Sequence, residues 1–291
     1  MASALQFHIP FGWHHRTEKV AFALEHGHGV EICVFAGGDG VDDPYARSEY
    51  ERRITKKLRR FPGPISMHGA FMDLAVHSGD SLIAYSSRER ILADLKLAAR
   101  IGCQKIVFHT GFNPLIHSEK YLERFHAVQA EFWQHAATVS PGLTVCLENQ
   151  WENDPAVLLE LMRRIDRPNV CLCLDVGHAH AYSDIPAVTW LDRLAPHVAH
   201  MHWNDNQGNK DSHLPIGTGS LDWAGVVART QQMPSPPSIV IELNSLRSIE
   251  RSLAYLAALP GQSPAEPRLR MLPAPSLPIE HHLTRPSIQS A

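Results

Sequence analysis

The sequence predicts a single (β/α)₈ TIM barrel of the α/β class, with a proline-rich C-terminal tail. Three observations predict it. The chain has 291 residues, which is a usual length for one such barrel. Short apolar segments alternate with longer amphipathic segments along most of the chain. The short segments are rich in Val, Ile, Leu and Cys, as strands that are buried on both faces should be.

The elements follow in order from this alternation. Eight short apolar runs are predicted as strands: 5–9, 30–35, 64–68, 105–109, 143–148, 170–175, 198–203 and 238–242. Eight segments with helical periodicity follow them: 17–26, 48–60, 87–101, 118–139, 154–165, 185–194, 222–231 and 248–258. The sequences SSRE (86–89) and NDP (153–155) have the capping side chain, then the acidic residue or proline, that is typical of helix starts. Strict alternation predicts a closed parallel barrel within residues 1–260.

The C-terminal segment 261–291 differs in composition from the rest of the chain. Prolines stand at positions 264, 267, 273, 275, 278 and 286, and apolar periodicity is weak. Such a segment cannot bury enough apolar surface to fold by itself. We therefore expect an extended or disordered tail that adds nothing to the barrel core.

Charge and composition restrict the partners. The formal net charge is −3, so no global positive field attracts polyanions and duplex DNA is not expected as a partner. The segment MASALQFHIPF lacks the pattern of a signal peptide, and no stretch of 18 apolar residues occurs. We therefore expect a cytoplasmic protein that binds no membrane.

The five cysteines have no CxxC spacing, which favours reduced thiols over a disulfide framework. The basic run RRITKKLRR (52–60) is interpreted as the solvated face of a helix.

Metal-ligand residue types stand at the ends of six successive predicted strands. They are His68, His109, Glu148, Asp175, His202 and Glu242. A barrel brings the C-terminal ends of its strands together on one face, so we expect these side chains around one rim. The following loops add His178, Asp211 and His213. Nine candidates exceed the needs of one ion, which predicts two or three divalent ions. Ligands without thiolate suit Zn²⁺, Mn²⁺ or Fe²⁺, and Zn²⁺ is our first expectation.

Neighbouring polar residues are predicted to have other roles. His200 shares strand parity with His202 but lies one layer deeper, so it is expected to fill the barrel. Asn204 and Asp205 are expected to brace the turn or to contact the ligands. Cys171 and Cys173 are expected to be small residues of the inner layer. The remaining candidates for substrate contacts are His8, His14, His77, His117 and His180.

The motifs around these residues resemble those of the xylose-isomerase-like barrel superfamily, within it the endonuclease IV branch and the sugar phosphate isomerases/epimerases. The matching segments are ISMHGAFMDLA, IVFHTG, VCLEN, CLDVGHA, HMHWNDN, DSHLPIGTG and IVIEL. The endonuclease IV arrangement implies three metal sites. The first would contain His68, His109 and Glu148. The second would share Glu148 and add Asp175, His202 and Glu242, and the third would contain His178, Asp211 and His213.

Two enzymatic functions follow from this resemblance. The first is hydrolysis of a phosphoester in a small sugar- or polyol-phosphate, in which clustered ions stabilise charge and Glu148 positions the attacking water. The alternative is isomerisation or epimerisation of a small sugar, with one ion and with Glu148 and Glu242 as the proton-transfer groups. Such isomerases usually have an arginine in the loop after the seventh strand, where this chain has NQGNKDSH (206–213). The sequence therefore favours hydrolysis. A third hypothesis, a binding protein without chemistry, fits poorly with an intact ligand set.

Overall fold

The computed structural model describes residues 5–12 and 16–260, so the predicted tail and His14 lie outside the described residues. Eight parallel strands pair in chain order, and β8 pairs with β1 to close the predicted barrel. The strands are β1 Gln6–Phe11, β2 Gly29–Ile32, β3 Ile65–His68, β4 Lys105–His109, β5 Thr144–Glu148, β6 Val170–Asp175, β7 Val198–Trp203 and β8 Ser238–Ile241. β1 extends past its predicted end at residue 9, and β2 ends before its predicted end at residue 35. Both strands end where their ladder ends, at the pair of Phe11 and Ile32.

Ten α-helices surround the barrel in the described residues. They are α1 Arg16–Glu25, α2 Asp39–Asp42, α3 Pro44–Leu58, α4 Ser81–Ile101, α5 Glu119–Val139, α6 Ala156–Ile165, α7 Val176–Tyr182, α8 Ala187–Leu194, α9 Trp223–Gln231 and α10 Leu246–Ala257. The short helices α2 and α7 were not predicted. The predicted start of α4 at SSRE was wrong, because Asp80 caps the helix earlier and accepts a hydrogen bond from the Leu82 amide at 2.8 Å.

The apolar core lies between the strands and the helices, and a separate small cluster fills the barrel itself. The large core includes Trp133, Trp190 and Trp223, all on helices and fully buried. The inner cluster consists of Val107, Cys146 and Cys173. These three residues are small or slender, as the narrow interior of an eight-stranded barrel requires. The prediction that Cys173 belongs to the inner layer is confirmed, whereas Cys171 is only half-buried.

The outer surface agrees with the interpretation of the basic run as a solvated helix face. In α3, Ile54 and Leu58 are buried against the core, and Arg52 forms an ion pair with Glu49 at 2.9 Å on the exposed side. Among the residues that the structure describes, no helix combines the length and apolar character needed to cross a membrane.

Candidate metal centre

The strand register brings the predicted ligands to one level at the C-terminal rim. His109 stands opposite Glu148 in the β4–β5 ladder, and Asp175 stands opposite His202 in the β6–β7 ladder. Glu242 does not end β8 as predicted but follows its last residue. Its backbone amide donates to the Trp203 carbonyl at 3.0 Å, which continues the ladder by one bond. The side chain therefore still reaches the rim.

The predicted ligands lie in three groups whose candidate ligand atoms are all within 4.8 Å of one another. The groups are His68, His109 and Glu148; Glu148, Asp175, His202 and Glu242; and His178, Asp211 and His213. These three groups are the ones that the sequence resemblance implies, and a fourth combination, of His68, His202 and Glu242, is equally compact. The structure thus brings all nine residues together, and their assignment as metal ligands stays a prediction.

Glu148 lies at the centre of these groups. Its Oε2 is 3.1 Å from His109 Nε2 and 3.4 Å from His68 Nε2, and its Oε1 is 3.0 Å from His202 Nδ1. The side chain is fully buried. Burial raises the pKa of Glu148, but the charges of His202 and His109 outweigh it and hold this pKa well below its usual range. Glu148 is therefore a charged carboxylate that belongs to two groups at once.

Backbone carbonyls orient three of the histidine rings. His68 Nδ1 donates to the Gly69 carbonyl at 2.8 Å, and His178 Nδ1 donates to the Asn149 carbonyl at 2.8 Å. His213 Nδ1 donates in the same way to the Glu242 carbonyl at 2.9 Å. A carbonyl can only accept a hydrogen bond, so Nδ1 carries the proton and Nε2 is left to bind a metal.

Helix α7 positions His178. Asp175 ends β6 and caps this helix, because its Oδ1 accepts a hydrogen bond from the His178 amide at 2.7 Å. The side chain of Asn149 exchanges two hydrogen bonds of 2.9 Å with the Asp175 backbone, which ties the ends of β5 and β6 together. His178 was predicted to stand on a turn. The capped helix corrects that prediction and brings His178 Nε2 to 3.3 Å from Asp211 Oδ2.

Asp205 holds the long loop that carries Asp211 and His213. Its buried carboxylate accepts hydrogen bonds from the amides of Gly217 and Gly219 and from Trp223 Nε1, each at 2.9 Å. The prediction that Asp205 braces the turn is therefore confirmed.

Asn204 contacts the ligand groups as predicted. Its Nδ2 donates to Asp175 Oδ2 at 3.1 Å and lies 3.5 Å from Glu242 Oε2.

We expect Asp205→Ala to lower the free energy of unfolding by about 3 kcal/mol, because several buried donors lose a charged acceptor together. The loop that carries Asp211 and His213 should then open locally before the barrel unfolds. Hydrogen exchange of residues 206–222 together with urea denaturation would measure both effects. Asp222→Ala is the control, since that residue caps only α9. Equal stability of Asp205→Ala and wild type would contradict this role.

The donor set fits a divalent metal. Glu148 Oε2 and Asp211 Oδ1 are buried and lack a hydrogen-bond partner within the described part of the chain. Burial raises the pKa of Asp175 to about 7 against the opposing charge of His178, and Glu242 and Glu148 add to the rise. Several carboxylates therefore repel one another in a space from which water is largely excluded. A cation among them would relieve that repulsion.

A cavity of about 760 Å³ opens beside these groups. Phe71 lines this cavity, and its ring centroid lies 4.6 Å from that of His109 and 5.4 Å from that of His68. Gln150 and Trp151 line the cavity on the side of β5. This volume accommodates a small molecule next to the predicted ligands.

Sequence reasoning missed one residue below the rim and misplaced another. Glu31, in the middle of β2, is fully buried and lies 3.1 Å from His202. Glu31 is the one charged residue in the apolar run VEICVF, and this exception could have indicated a buried polar role. His8 was a candidate for substrate contact, but it is buried in the barrel, where Nδ1 is 2.9 Å from Ser66 Oγ. That prediction was wrong because the β1 side chain at this position points into the interior.

Fold and site together define a barrel with a cluster of histidines and carboxylates at the C-terminal ends of its strands. The family model described as "Xylose isomerase-like TIM barrel" matches residues 20–259. The chain belongs to this family, and the resemblance drawn from the motifs is thereby confirmed.

Individual relatives agree with this membership. An uncharacterized protein of Methanocaldococcus jannaschii is 26% identical over 208 residues, which are 68% of this chain and 70% of that protein. A Thermus thermophilus protein, solved after soaking with ZnCl₂, has a TM-score of 0.72 and 26% identity, covering 88% of this chain and 98% of its own. A D-tagatose 3-epimerase-like protein has a TM-score of 0.72 and 22% identity, covering 87% and 96%.

Proposed function

We propose that this protein is a divalent-metal-dependent isomerase or epimerase of a small sugar, in which Glu148 and Glu242 transfer the proton. The observation that carries the proposal is the group of Glu148, Asp175, His202 and Glu242, which combines two glutamates with an aspartate and a histidine within 4.8 Å. Family membership favours this alternative over the hydrolysis that the sequence suggested first.

The proposed chemistry assigns distinct tasks to these residues. A divalent ion held by this group would polarise the carbonyl of the sugar and so make the neighbouring C–H more acidic. Glu148 is a buried carboxylate at the centre of the groups, and this position suits it to accept the proton. Glu242 has a side chain that is 23% exposed toward the open end, from where it can return a proton. Asp175 and His202 would hold the ion without moving a proton.

The substrate class is inferred from the size of the cavity and from related enzymes. The cavity of about 760 Å³ exceeds the volume of one monosaccharide, and Phe71, which lines it, lies against the rings of His68 and His109. Solved chains of the same fold include an L-ribulose 3-epimerase and a D-allulose 3-epimerase in complex with D-allulose, each 17% identical. At that identity they share only the fold. Their names identify ketoses as the first substrates to test.

Proton exchange provides a direct test. Protein loaded with Zn²⁺, Mn²⁺ or Co²⁺ would be incubated in D₂O with a panel of ketopentoses, ketohexoses and aldoses, and NMR would detect deuterium next to the carbonyl. We expect exchange and a second sugar to form with at least one ketose, and neither after chelation of the metal. A loaded protein that releases phosphate from a sugar phosphate but exchanges no proton of any sugar would overturn the proposal.

Phosphoester hydrolysis remains a second candidate because of one observation. His178, Asp211 and His213 have no necessary role in a centre with one ion, yet Asp211 Oδ2 lies 3.0 Å from His213 and 3.3 Å from His178. We expect Asp211→Ala and His213→Ala to lower the metal content by about one ion while the fold survives. In Asp211→Ala, sugar exchange should change less than about threefold, whereas phosphoester hydrolysis would fall by about 100-fold or more. If the wild type holds one ion and both variants keep it, hydrolysis by several ions is ruled out.

A further inference from the structure

His202 is oriented differently from the other predicted ligand histidines whose rings are held by hydrogen bonds. His68, His178 and His213 donate from Nδ1 to backbone carbonyls. In His202 it is Nδ1 that faces the centre, 3.0 Å from Glu148 Oε1, and Nε2 points down the barrel. There it lies 3.1 Å from Oε1 of Glu31, and neither of these two buried atoms has a hydrogen-bond partner elsewhere or meets the full hydrogen-bond geometry within the described residues.

The surroundings of Glu31 fix its carboxylate. Oε2 accepts a hydrogen bond from Ser66 Oγ at 2.9 Å and lies 2.9 Å from His200 Nε2. His200 is held in turn by Ser238 Oγ, 2.6 Å from its Nδ1. One oxygen of Glu31 is therefore held from two sides, and the other is left for His202. His200 thus fills the barrel as predicted, but it does so as part of a polar network.

In this lower layer, hydrogen bonds already engage the ring of His200. Cys173, His200 and His202 have ligand-type atoms within 4.8 Å of one another, but both ring nitrogens of His200 already have partners. Glu31 belongs to none of the groups of ligand-type atoms found among the described residues. A fully buried carboxylate is costly to desolvate, so it needs polar partners close by. For Glu31, the nearest unpaired partner is His202, 3.1 Å away.

We propose that Glu31 is a positioning residue: it accepts the Nε2 proton of His202 and thereby fixes the ring with Nδ1 free to bind the metal. The inference rests on the metal centre of the proposed function. Carboxylates that hold the far nitrogen of a ligand histidine also increase its basicity, and their loss typically weakens metal binding about 10- to 100-fold. Of the histidines in the centre, His202 is the one that shares a group with both glutamates proposed for proton transfer.

The affinity for Co²⁺ tests this role in the full chain. In Glu31→Gln the amide can donate to Nε2 and so favour the wrong tautomer, whereas the size of the side chain is unchanged. We expect the variant to bind its tightest Co²⁺ about 10- to 100-fold more weakly, and its visible absorption spectrum to change. Asp94→Asn is the matched control, because it removes the charge of another buried carboxylate, whose partners are Arg47 and the Ala70 amide. Affinity of the control should stay within about threefold of wild type. Equal affinity in Glu31→Gln and wild type overturns the inference.

A second measurement needs no Glu31 variant and decides the matter if Glu31→Gln fails to fold. Long-range ¹H–¹⁵N spectra of the Zn²⁺-loaded wild type, assigned with His202→Gln, should show the ring proton of His202 on Nε2. A proton on Nδ1 overturns the inference. Wild type that binds no Co²⁺ refutes both this inference and the proposed function. Wild type that binds Co²⁺ but exchanges no sugar proton refutes the function alone, and the Glu31 comparison still applies.

Discussion

Glu148→Ala is expected to lose most of its bound metal and at least about 10³-fold of its activity. Glu148 belongs to two of the three groups, and its two oxygens contact the rings of His68, His109 and His202. Its removal takes one ligand from each of these two groups and also the proposed proton acceptor. The buried imidazoles would then lack their common counter-charge, so the apo protein should also be less stable.

The measurement combines metal analysis of freshly purified protein with the rate of proton exchange on a ketose substrate. Glu160→Ala is the matched control, because Glu160 forms its ion pairs with Arg163 and Arg164 on the surface of α6. We expect the control to keep wild-type metal content and rate. A Glu148→Ala protein that binds metal and reacts like the control would show that the cluster is not the active centre.

The fold and the location of the site could be predicted because both depend on short-range patterns. Alternating segments fix the order of strands and helices, and a closed parallel barrel necessarily brings the strand ends to one face. His68, His109, Glu148 and Asp175 each end a strand, so their meeting follows from the topology alone.

Ring orientation and the lower layer could not be predicted, because they depend on contacts between residues that are distant in sequence. The capped helix α7 depends on the Asp175 side chain turning back to the amide of His178. The contact between Glu31 and His202 joins β2 to β7 across the barrel interior. Strand parity shows that both side chains point inward, but it does not show which nitrogen meets which oxygen.

The reaction could not be predicted from the sequence as well as the fold could. The same nine side chains serve a centre with one ion or with three, so donor count alone does not select isomerisation or hydrolysis. The missing arginine after β7 favoured hydrolysis, whereas membership of the xylose isomerase-like family supports the sugar enzyme that we propose. The two differ in whether a carboxylate must move a proton, and that property can be tested at Glu242.

Glu242→Gln is expected to keep its metal and to lose about 10²- to 10⁴-fold of proton exchange. The position of Glu242 is set by its backbone: its amide donates to Trp203, and its carbonyl accepts from His213 Nδ1 at 2.9 Å. Glutamine should therefore occupy the same place, and its carbonyl oxygen can still bind an ion.

The side-chain amide introduced by Glu242→Gln cannot accept or return a proton near neutral pH, so the chemical step should fail while binding continues. This pattern differs from that of Glu148→Ala, in which metal and rate disappear together. Rates of deuterium exchange and sugar interconversion, measured at equal metal content, separate the two. Glu242→Asp keeps a carboxylate on a shorter side chain and should recover part of the rate. If Glu242→Gln exchanges protons within about tenfold of wild type, Glu242 is a ligand only and the second proton-transfer group lies elsewhere.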